Sequence, residues 1–383
     1  MNTRPVLAEI SRSALLNNWN ILRAAAPADA EVVAVLKANA YGHGVLLCGP
    51  VLAKAGAGWF GVTCVEEGIA LRKACPEARI LVMSGLWEGE EEAVIEHRLT
   101  PQVWEPFHFE LLEKAAGGQR VAVHLEIDTG MSRQGVRSLD ELKGLLQRYG
   151  AGPARIEGVM THFCAPEVLE PDTTRVQIVR FAAALEVLNQ HGIRPEFIHG
   201  GNSATVLAAQ HRGPLAALAK KYGARLMLRP GIALYGYPPR FAPSSPDRLL
   251  VQPVLSWKTR IVSMRDVEAG ATAGYNMTFR AERASRLALV PVGYADGLNR
   301  MLSNCGQALV RGEKVRIAGR VSMDQTILDV TDVPEASIGD EVVLIGEQGG
   351  ARITAFDLAD ATGTIPYEVT CAISARVPRV LVD

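Results

Sequence analysis

From residue 8 to about residue 235, short β-branched apolar runs alternate with longer stretches of helical periodicity, the order expected when parallel strands are joined by crossover helices. The pattern predicts strands at residues 32–37, 59–64, 80–84, 121–128, 156–162, 196–199 and 226–229. A run of about eight such units points to a (β/α)8 TIM-type barrel rather than an open sheet. Polar residues with chemical potential recur where these runs stop: Lys37, Arg133 shortly after Asp128, His162, Asn202 with Ser203, and Arg229. A barrel would gather such strand ends around one mouth. Beyond residues 237–248, whose Pro, Ser and Arg content reads as a linker, the pattern changes to short strands and Gly-rich turns. Strands are predicted at 255–262, 287–292, 315–317, 327–330 and 341–345, with one late helix near 355–361. The expectation is a barrel over 1–240 followed by a C-terminal, mostly β domain over 241–383.

Composition narrows the class of protein. A chain of 383 residues with 48% hydrophobic content can support a large core and a smaller one. A net charge of −1 leaves no basic surplus for phosphate backbones, so no nucleic-acid partner is expected. No apolar stretch approaches the roughly 20 residues that cross a bilayer, and the opening lacks a signal-peptide core, so the expectation is a cytoplasmic protein with no membrane association. Cys48, Cys64, Cys75, Cys164, Cys305 and Cys371 sit in apolar segments without a CxxC pair and read as reduced core residues. His43, His124 and His199 share no metal-ligand spacing, and no metal is expected. The Gly42 and Gly44 loop lacks a Walker or dinucleotide fingerprint.

The segment VLKANAYGHG ends an apolar run on Lys37 and follows it with a polar, Gly-containing loop. A desolvated lysine loses its charge readily and suits a Schiff-base nucleophile or general base; a lysine that merely snorkels to solvent from a strand end is the competing reading. Context along the chain separates the two. VLKANAYGHG, DTGMSRQGV, THF, HGGNSAT, RPGIALYG, AGYNMTF, VGYADG, GRVSMDQ, GTIPYEV and RVPR occur in the order and approximate spacing of one family, and by these segments the chain resembles the alanine racemases over nearly its whole length.

The resemblance implies pyridoxal 5'-phosphate (PLP) on Lys37 and a homodimer whose active sites are shared. It implies an alanine racemase that interconverts L-alanine and D-alanine by two-base proton transfer on a PLP external aldimine and supplies D-alanine for peptidoglycan. Lys37 would serve the D-alanine face and Tyr275, from the partner subunit, the L-alanine face. Inversion at a carbon needs a proton carrier on each side, which is why two are required. His162 and Arg229 would support Tyr275, and Arg229 would also contact the pyridine nitrogen, where an always-charged guanidinium leaves that nitrogen unprotonated. Asn202, Ser203, Gly231, Ile232, Tyr41 and Tyr367 would hold the cofactor, chiefly its phosphate. Helix N-capping is an alternative role for Ser203. Arg133 and the Met323 amide would hold the substrate carboxylate. Asp324 would orient Met323 or occupy a surface turn. Tyr294, Arg300, Arg320 and Glu167 would line the substrate-access channel and Arg376 a supporting network, with plain surface roles equally open. The first strand, near residues 5–9, would pair with the β domain.

One position departs from the family. Where many members carry a lysine, often carbamylated, before DTGM, this chain has Glu126. Glu126 could supply the missing negative charge near Arg133, or it could face solvent on the outer side of its strand. Two rival functions remain open: an amino-acid racemase of broader specificity, acting on serine or lysine, and a non-catalytic PLP-binding protein on a similar barrel.

Overall fold

The computed structural model describes residues 3–168, 172–207, 211–240 and 250–383. It divides into two compact units: Met1–Ser13, Tyr41–Gly44 and Pro253–Asp383 form one, and Ala14–Ala40 with Val45–Gln252 form the other. Residues 241–248 of the anticipated linker lie outside the described residues.

The larger unit is a closed barrel of eight parallel strands. After β1 (Val6–Ser11), which belongs to the other unit, the barrel strands are β2 (Glu31–Val35), β3 (Trp59–Val62), β4 (Arg79–Val82), β5 (Leu99–Val103), β6 (Val121–Glu126), β7 (Ala154–Met160), β8 (Phe197–Gly201) and β9 (Arg225–Leu228). The ring is sealed by the β2 to β9 pairing, Glu31 opposite Met227 and Val32 opposite Leu228. The sequence pattern did not predict β5. Pro101 and Gln102 interrupt its apolar run, yet every residue of the strand is buried, because closure of the ring leaves no solvated face. Most predicted strands also stop sooner than their apolar runs, so Lys37, Asp128, His162 and Arg229 lie just beyond β2, β6, β7 and β9.

The crossover helix Leu139–Tyr149 shows how sequence writes these layers. Leu142, Leu145, Leu146 and Tyr149 fall at helical spacing and are buried, Ser138 accepts a hydrogen bond from the Glu141 amide as N-cap, and Asp140 and Glu141 occupy the positive first turn. Burial of Leu142 alone stabilises the packing by about 1.5–3 kcal/mol. Inside the barrel, Val33, Trp59, Leu81, Phe197 and Met227 form one apolar layer, with Trp59 and Phe197 edge to face at 5.4 Å. That layer makes the barrel a packed core and leaves chemistry to the strand ends.

The smaller unit is built on a ten-stranded sheet. Its strand order is Ser263–Val267, Ser285–Val290, Thr326–Asp329, Glu313–Ile317, Gln307–Val310, Glu341–Gln348, Leu255–Arg260, β1 and Arg379–Val382, with Ala351–Ile353 paired to Glu341–Gln348. β1 is antiparallel to Leu255–Arg260 and parallel to Arg379–Val382. Ser263–Val267 and Arg379–Val382 were not predicted, and neither strand has a fully buried residue. Helix Ala355–Thr362 opens on a Thr354 and Asp357 capping box and closes on Gly363; a second helix, Pro366–Ala372, which was not predicted, starts on a proline at its first turn.

The cysteines correct the sequence reading. All six are free, but only Cys48 and Cys75 are buried; Cys64 is intermediate and Cys164, Cys305 and Cys371 are exposed. Their apolar neighbours lie at turns and helix ends, where adjacent positions do not share burial.

Gly42 carries a fold-level prediction. Its φ is +82°, and a Cβ there would overlap the Thr370 carbonyl oxygen, while the Gly42 carbonyl accepts from Arg379 Nε at 2.9 Å. Gly42→Ala should therefore lower stability by about 2–4 kcal/mol, combining a left-handed backbone with a backbone collision. Urea denaturation checks this; an unchanged midpoint would contradict the packing described.

Candidate active site

Immediately after Lys37 the backbone makes a left-handed turn: Ala38, Asn39, Ala40 and Tyr41 have φ of 52°, 53°, 57° and 52°. L-residues pay about 1–2 kcal/mol each for that conformation, so neighbouring contacts must hold it. They are present. The Ala38 amide donates to Glu67 Oε1 at 2.7 Å, the Val45 amide donates to Asn39 Oδ1 at 2.8 Å, and the Ala40 amide donates to the Leu36 carbonyl at 2.8 Å. The turn fixes the half-buried Lys37 at the end of β2.

Across the barrel mouth, Arg229 is 4% exposed. Its Nη1 lies 2.7 Å from His199 Nδ1, and its Nη2 donates to the Thr161 carbonyl at 2.8 Å and lies 3.2 Å from His162 Nδ1. Burial lowers the Arg229 pKa to about 10, with Glu126 opposing and Arg133 adding to the shift. Burial, then the charges of Arg229, Arg133 and Lys37, hold His162 at about 3. Those four groups thus share one electrostatic neighbourhood. With its pKa at about 3, the His162 ring is neutral at physiological pH, and the cations around it are Arg229, Arg133 and Lys37.

Asn202, Ser203, Gly231 and Ile232 also converge. The Ser203 hydroxyl oxygen accepts from the Gly231 amide at 2.9 Å and the Ala233 amide at 3.2 Å, leaving its own O–H to donate elsewhere. Capping of the short helix Ser203–Leu207 falls to Asn202, whose Oδ1 accepts from the Ala204 and Thr205 amides, so the N-cap alternative for Ser203 is not what the structure adopts.

Arg133 is exposed and lines a cleft of about 560 Å³ together with Trp104, Asp128, Ser132, Gln134 and Arg180. Its loop is held by Asp128 Oδ1, which accepts from the Gly130, Met131 and Ser132 amides. Glu126 is 3% exposed, which overturns the outer-face alternative. Its hydrogen-bond partner is Gln134, donating to Oε2 at 2.6 Å, while Arg229 and Arg133 act on it through their charges. Burial outweighs these and raises Glu126 from 4.5 to about 7. A carboxyl group that binds its proton more tightly when folded removes stability as pH rises from its unfolded value through its folded one. Between pH 4.5 and about 7 the wild-type protein should therefore lose on the order of 3 kcal/mol that Glu126→Gln does not lose. Parallel denaturation of both proteins at pH 5 and pH 8 measures the difference; equal losses would show that the carboxylate is not desolvated. Glu167 lies partly exposed in the loop beyond β7.

The β unit carries a second set of groups. Tyr41 and Tyr367 face each other with ring centroids 6.1 Å apart, and burial, then Tyr367 and Cys371, push the Tyr41 phenol well above its ordinary range, keeping it a donor. Tyr275 stands on the turn Tyr275–Met277 and is 69% exposed. Gly274 precedes it with φ +74°, packed against the backbone of Gly319 and Arg320. Met323 is 54% exposed and its carbonyl accepts from the Ala295 amide. Asp324 bonds Arg376 Nη2 at 2.7 Å; Arg376 Nε lies 3.4 Å from Asp296, which also pairs with Arg4. Asp296, fully buried, is the hub of that network and was missed because VGYADG reads as an ordinary turn. Tyr294 and Arg300 line a smaller cleft of about 280 Å³ with Asn299 and Glu368, and Arg320 is half-buried.

Among the described residues no group of three or more His, Cys, Asp or Glu side chains is placed to hold a metal ion, and no helix is long and apolar enough to cross a membrane.

The chain belongs to the alanine racemase family. Residues 10–239 match the family model "Alanine racemase, N-terminal domain" and residues 254–381 match "Alanine racemase, C-terminal domain". An alanine racemase of Halothermothrix orenii is 39% identical over 379 residues, covering 98% of this chain and 97% of that protein. One from Symbiobacterium thermophilum is 38% identical, covering 98% and 97%. Among solved structures, alanine racemase from Bacillus anthracis with bound L-Ala-P superposes with a TM-score of 0.90 at 33% identity, covering 99% of this chain and 95% of that one. Alanine racemase from Bartonella henselae with covalently bound pyridoxal phosphate gives 0.84 at 28% identity, with 99% coverage of each.

Proposed function

Because the chain belongs to the alanine racemase family, we propose that it interconverts L-alanine and D-alanine with PLP held by Lys37, in a homodimer whose subunits share their active sites. The observation that carries the reading is the cluster of Lys37, His162, Arg133 and Arg229 at the barrel mouth, with a buried guanidinium backed by neutral imidazoles.

The residues present fit the cofactor. Arg229 offers a charged donor where a ring nitrogen needs a partner that cannot protonate it. Ser203 retains a hydroxyl proton beside the Gly231 and Ala233 amides, and Tyr41 remains protonated, as donors to a phosphate would have to be. Gly231, Ile232 and Asn202 would join Ser203 in that role, and by the family resemblance Tyr41 and Tyr367 would act on the same phosphate. When bound, PLP supplies an electron-withdrawing ring that acidifies the substrate's Cα–H.

The protein's own part is positional. Lys37, held by its left-handed turn, is the proton carrier for the D-alanine face. Tyr275 is the carrier for the L-alanine face of the neighbouring subunit's site, and its exposure on the β unit suits a group presented outward. Arg133 and the Met323 amide bind the carboxylate. Glu126 takes the place of the family's modified lysine, and with a pKa near 7 it lends Arg133 a full negative charge only on the alkaline side of neutrality. Asp324 and Arg376 brace the Met323 turn, and Tyr294, Arg300, Arg320 and Glu167 border the path of access. We further propose cytoplasmic supply of D-alanine for peptidoglycan.

The test is chiral analysis of L-alanine incubated with purified protein and PLP, alongside serine and lysine. D-alanine should accumulate to an equal mixture fastest from alanine. Faster serine or lysine turnover would shift the assignment to a broad-specificity racemase. No turnover with PLP bound would indicate a cofactor-binding protein, which the match of residues 254–381 to the racemase C-terminal domain disfavours. Growth rescue of a D-alanine auxotroph tests the biosynthetic role.

A further inference from the structure

A row of polar side chains runs through the barrel interior, from the beginnings of the strands to their ends. Arg229 Nη1 lies 2.7 Å from His199 Nδ1, His199 Nε2 lies 2.9 Å from His124 Nδ1, and His124 Nε2 lies 3.6 Å from Glu157 Oε2. Glu157 in turn accepts from Arg79 and Arg155, each at 2.5 Å. His124 and His199 are fully buried and Glu157 nearly so.

The direction of this row follows from valence. A guanidinium can only donate, so His199 Nδ1 must be a bare acceptor, and a neutral ring then carries its proton on Nε2. That proton points at His124 Nδ1, which must accept it, so His124 carries its own proton on Nε2, which meets the Glu157 carboxylate as a charge neighbour at 3.6 Å rather than through a hydrogen bond. His162 Nδ1, beside Arg229 Nη2, is an acceptor by the same argument. The rings are held neutral: burial and the charge of Arg229 keep His199 well below its ordinary pKa, and burial lowers His124 despite Glu157.

The fold makes room for the row. Gly158 stands beside His124 in the β6 to β7 ladder, and a Cβ there would lie 2.6 Å from His124 Nδ1. Trp59 and Phe197 flank the His124 ring at 5.5 Å and 6.1 Å. Nothing in the two-base chemistry uses Glu157, His124 or His199.

We propose that Glu157, His124 and His199 are positioning residues that lock His199 as a pure acceptor and so hold the Arg229 guanidinium in one pose toward the cofactor's ring nitrogen. The far end of the barrel thereby tunes the site without touching it; the inference rests on the reading that Arg229 meets that nitrogen. If His124 cannot accept, His199 Nε2–H is left as a buried orphan, and moving the proton to Nδ1 would set it against the Arg229 donor.

The test uses histidine-labelled holoenzyme and nitrogen-15 NMR of the imidazoles, with PLP affinity and the pH dependence of the bound cofactor's absorbance in variants. In the wild type, His124, His162 and His199 should all be neutral with the proton on Nε2. His124→Leu, which removes the acceptor, should weaken PLP binding roughly tenfold and shift the absorbance; His124→Asn, whose carbonyl oxygen can replace Nδ1, should restore most of both. A proton on His199 Nδ1 in the wild type, or leucine and asparagine variants that behave alike, would overturn the proposal. Should the leucine variant fail to fold, the wild-type tautomers and an asparagine variant with wild-type cofactor affinity and absorbance still support it, and an asparagine variant that loses both counts against it. A wild-type protein that binds no PLP would sink the functional reading, while the tautomers would still judge the row.

Discussion

Lys37→Ala should abolish racemisation, by on the order of 10⁴-fold or more, because in the proposed mechanism it removes both the attachment point of the cofactor and one of two proton carriers; a single positioned general base alone accounts for up to about 10⁴. The yellow absorbance of bound cofactor should be lost in parallel. The left-handed turn after Lys37 sharpens this expectation, since strain of that kind is retained where a side chain's placement matters. A variant that keeps racemase activity within tenfold of wild type would show that Lys37 only snorkels from its strand.

Tyr275→Phe should cut racemisation in both directions by about 10²–10⁴-fold while leaving PLP binding intact, because each turnover crosses both faces. Proton exchange at Cα of D-alanine, on the lysine side, should survive better than inversion. Subunit sharing adds a separate outcome. In a mixed dimer of the Lys37→Ala and Tyr275→Phe chains, a shared arrangement regenerates one intact site, so mixing two inactive proteins should restore about a quarter of wild-type activity at statistical exchange. No recovery after verified exchange would mean that both carriers come from one chain, and a fully active Tyr275→Phe would remove the phenol from the mechanism.

Much of this was open to a reader of residues. Lys37, His162, Asn202, Ser203 and Arg229 became candidates because apolar runs stop at or near them, and the barrel places strand ends on one rim. Strand β5 was hidden by Pro101 and Gln102, since their burial depends on ring closure rather than on local preference. Glu126 was ambiguous because β6 buries nearly all of its residues, so alternation along the sequence could not tell inside from outside. Asp296, Gln134 and Glu157 left no local signal; each matters through partners distant in sequence, such as Arg4 for Asp296 and Arg79 for Glu157.

Local chemistry and periodicity therefore determined the barrel class, the β-rich second half and the polar residues that stand at the strand ends, because those features are written in neighbouring positions. Protonation states were decided only by the tertiary structure. Glu126 near pH 7, a neutral His162 and the one-way row from Arg229 to Glu157 arise from burial and from charges that folding brings together, and no window of sequence contains either.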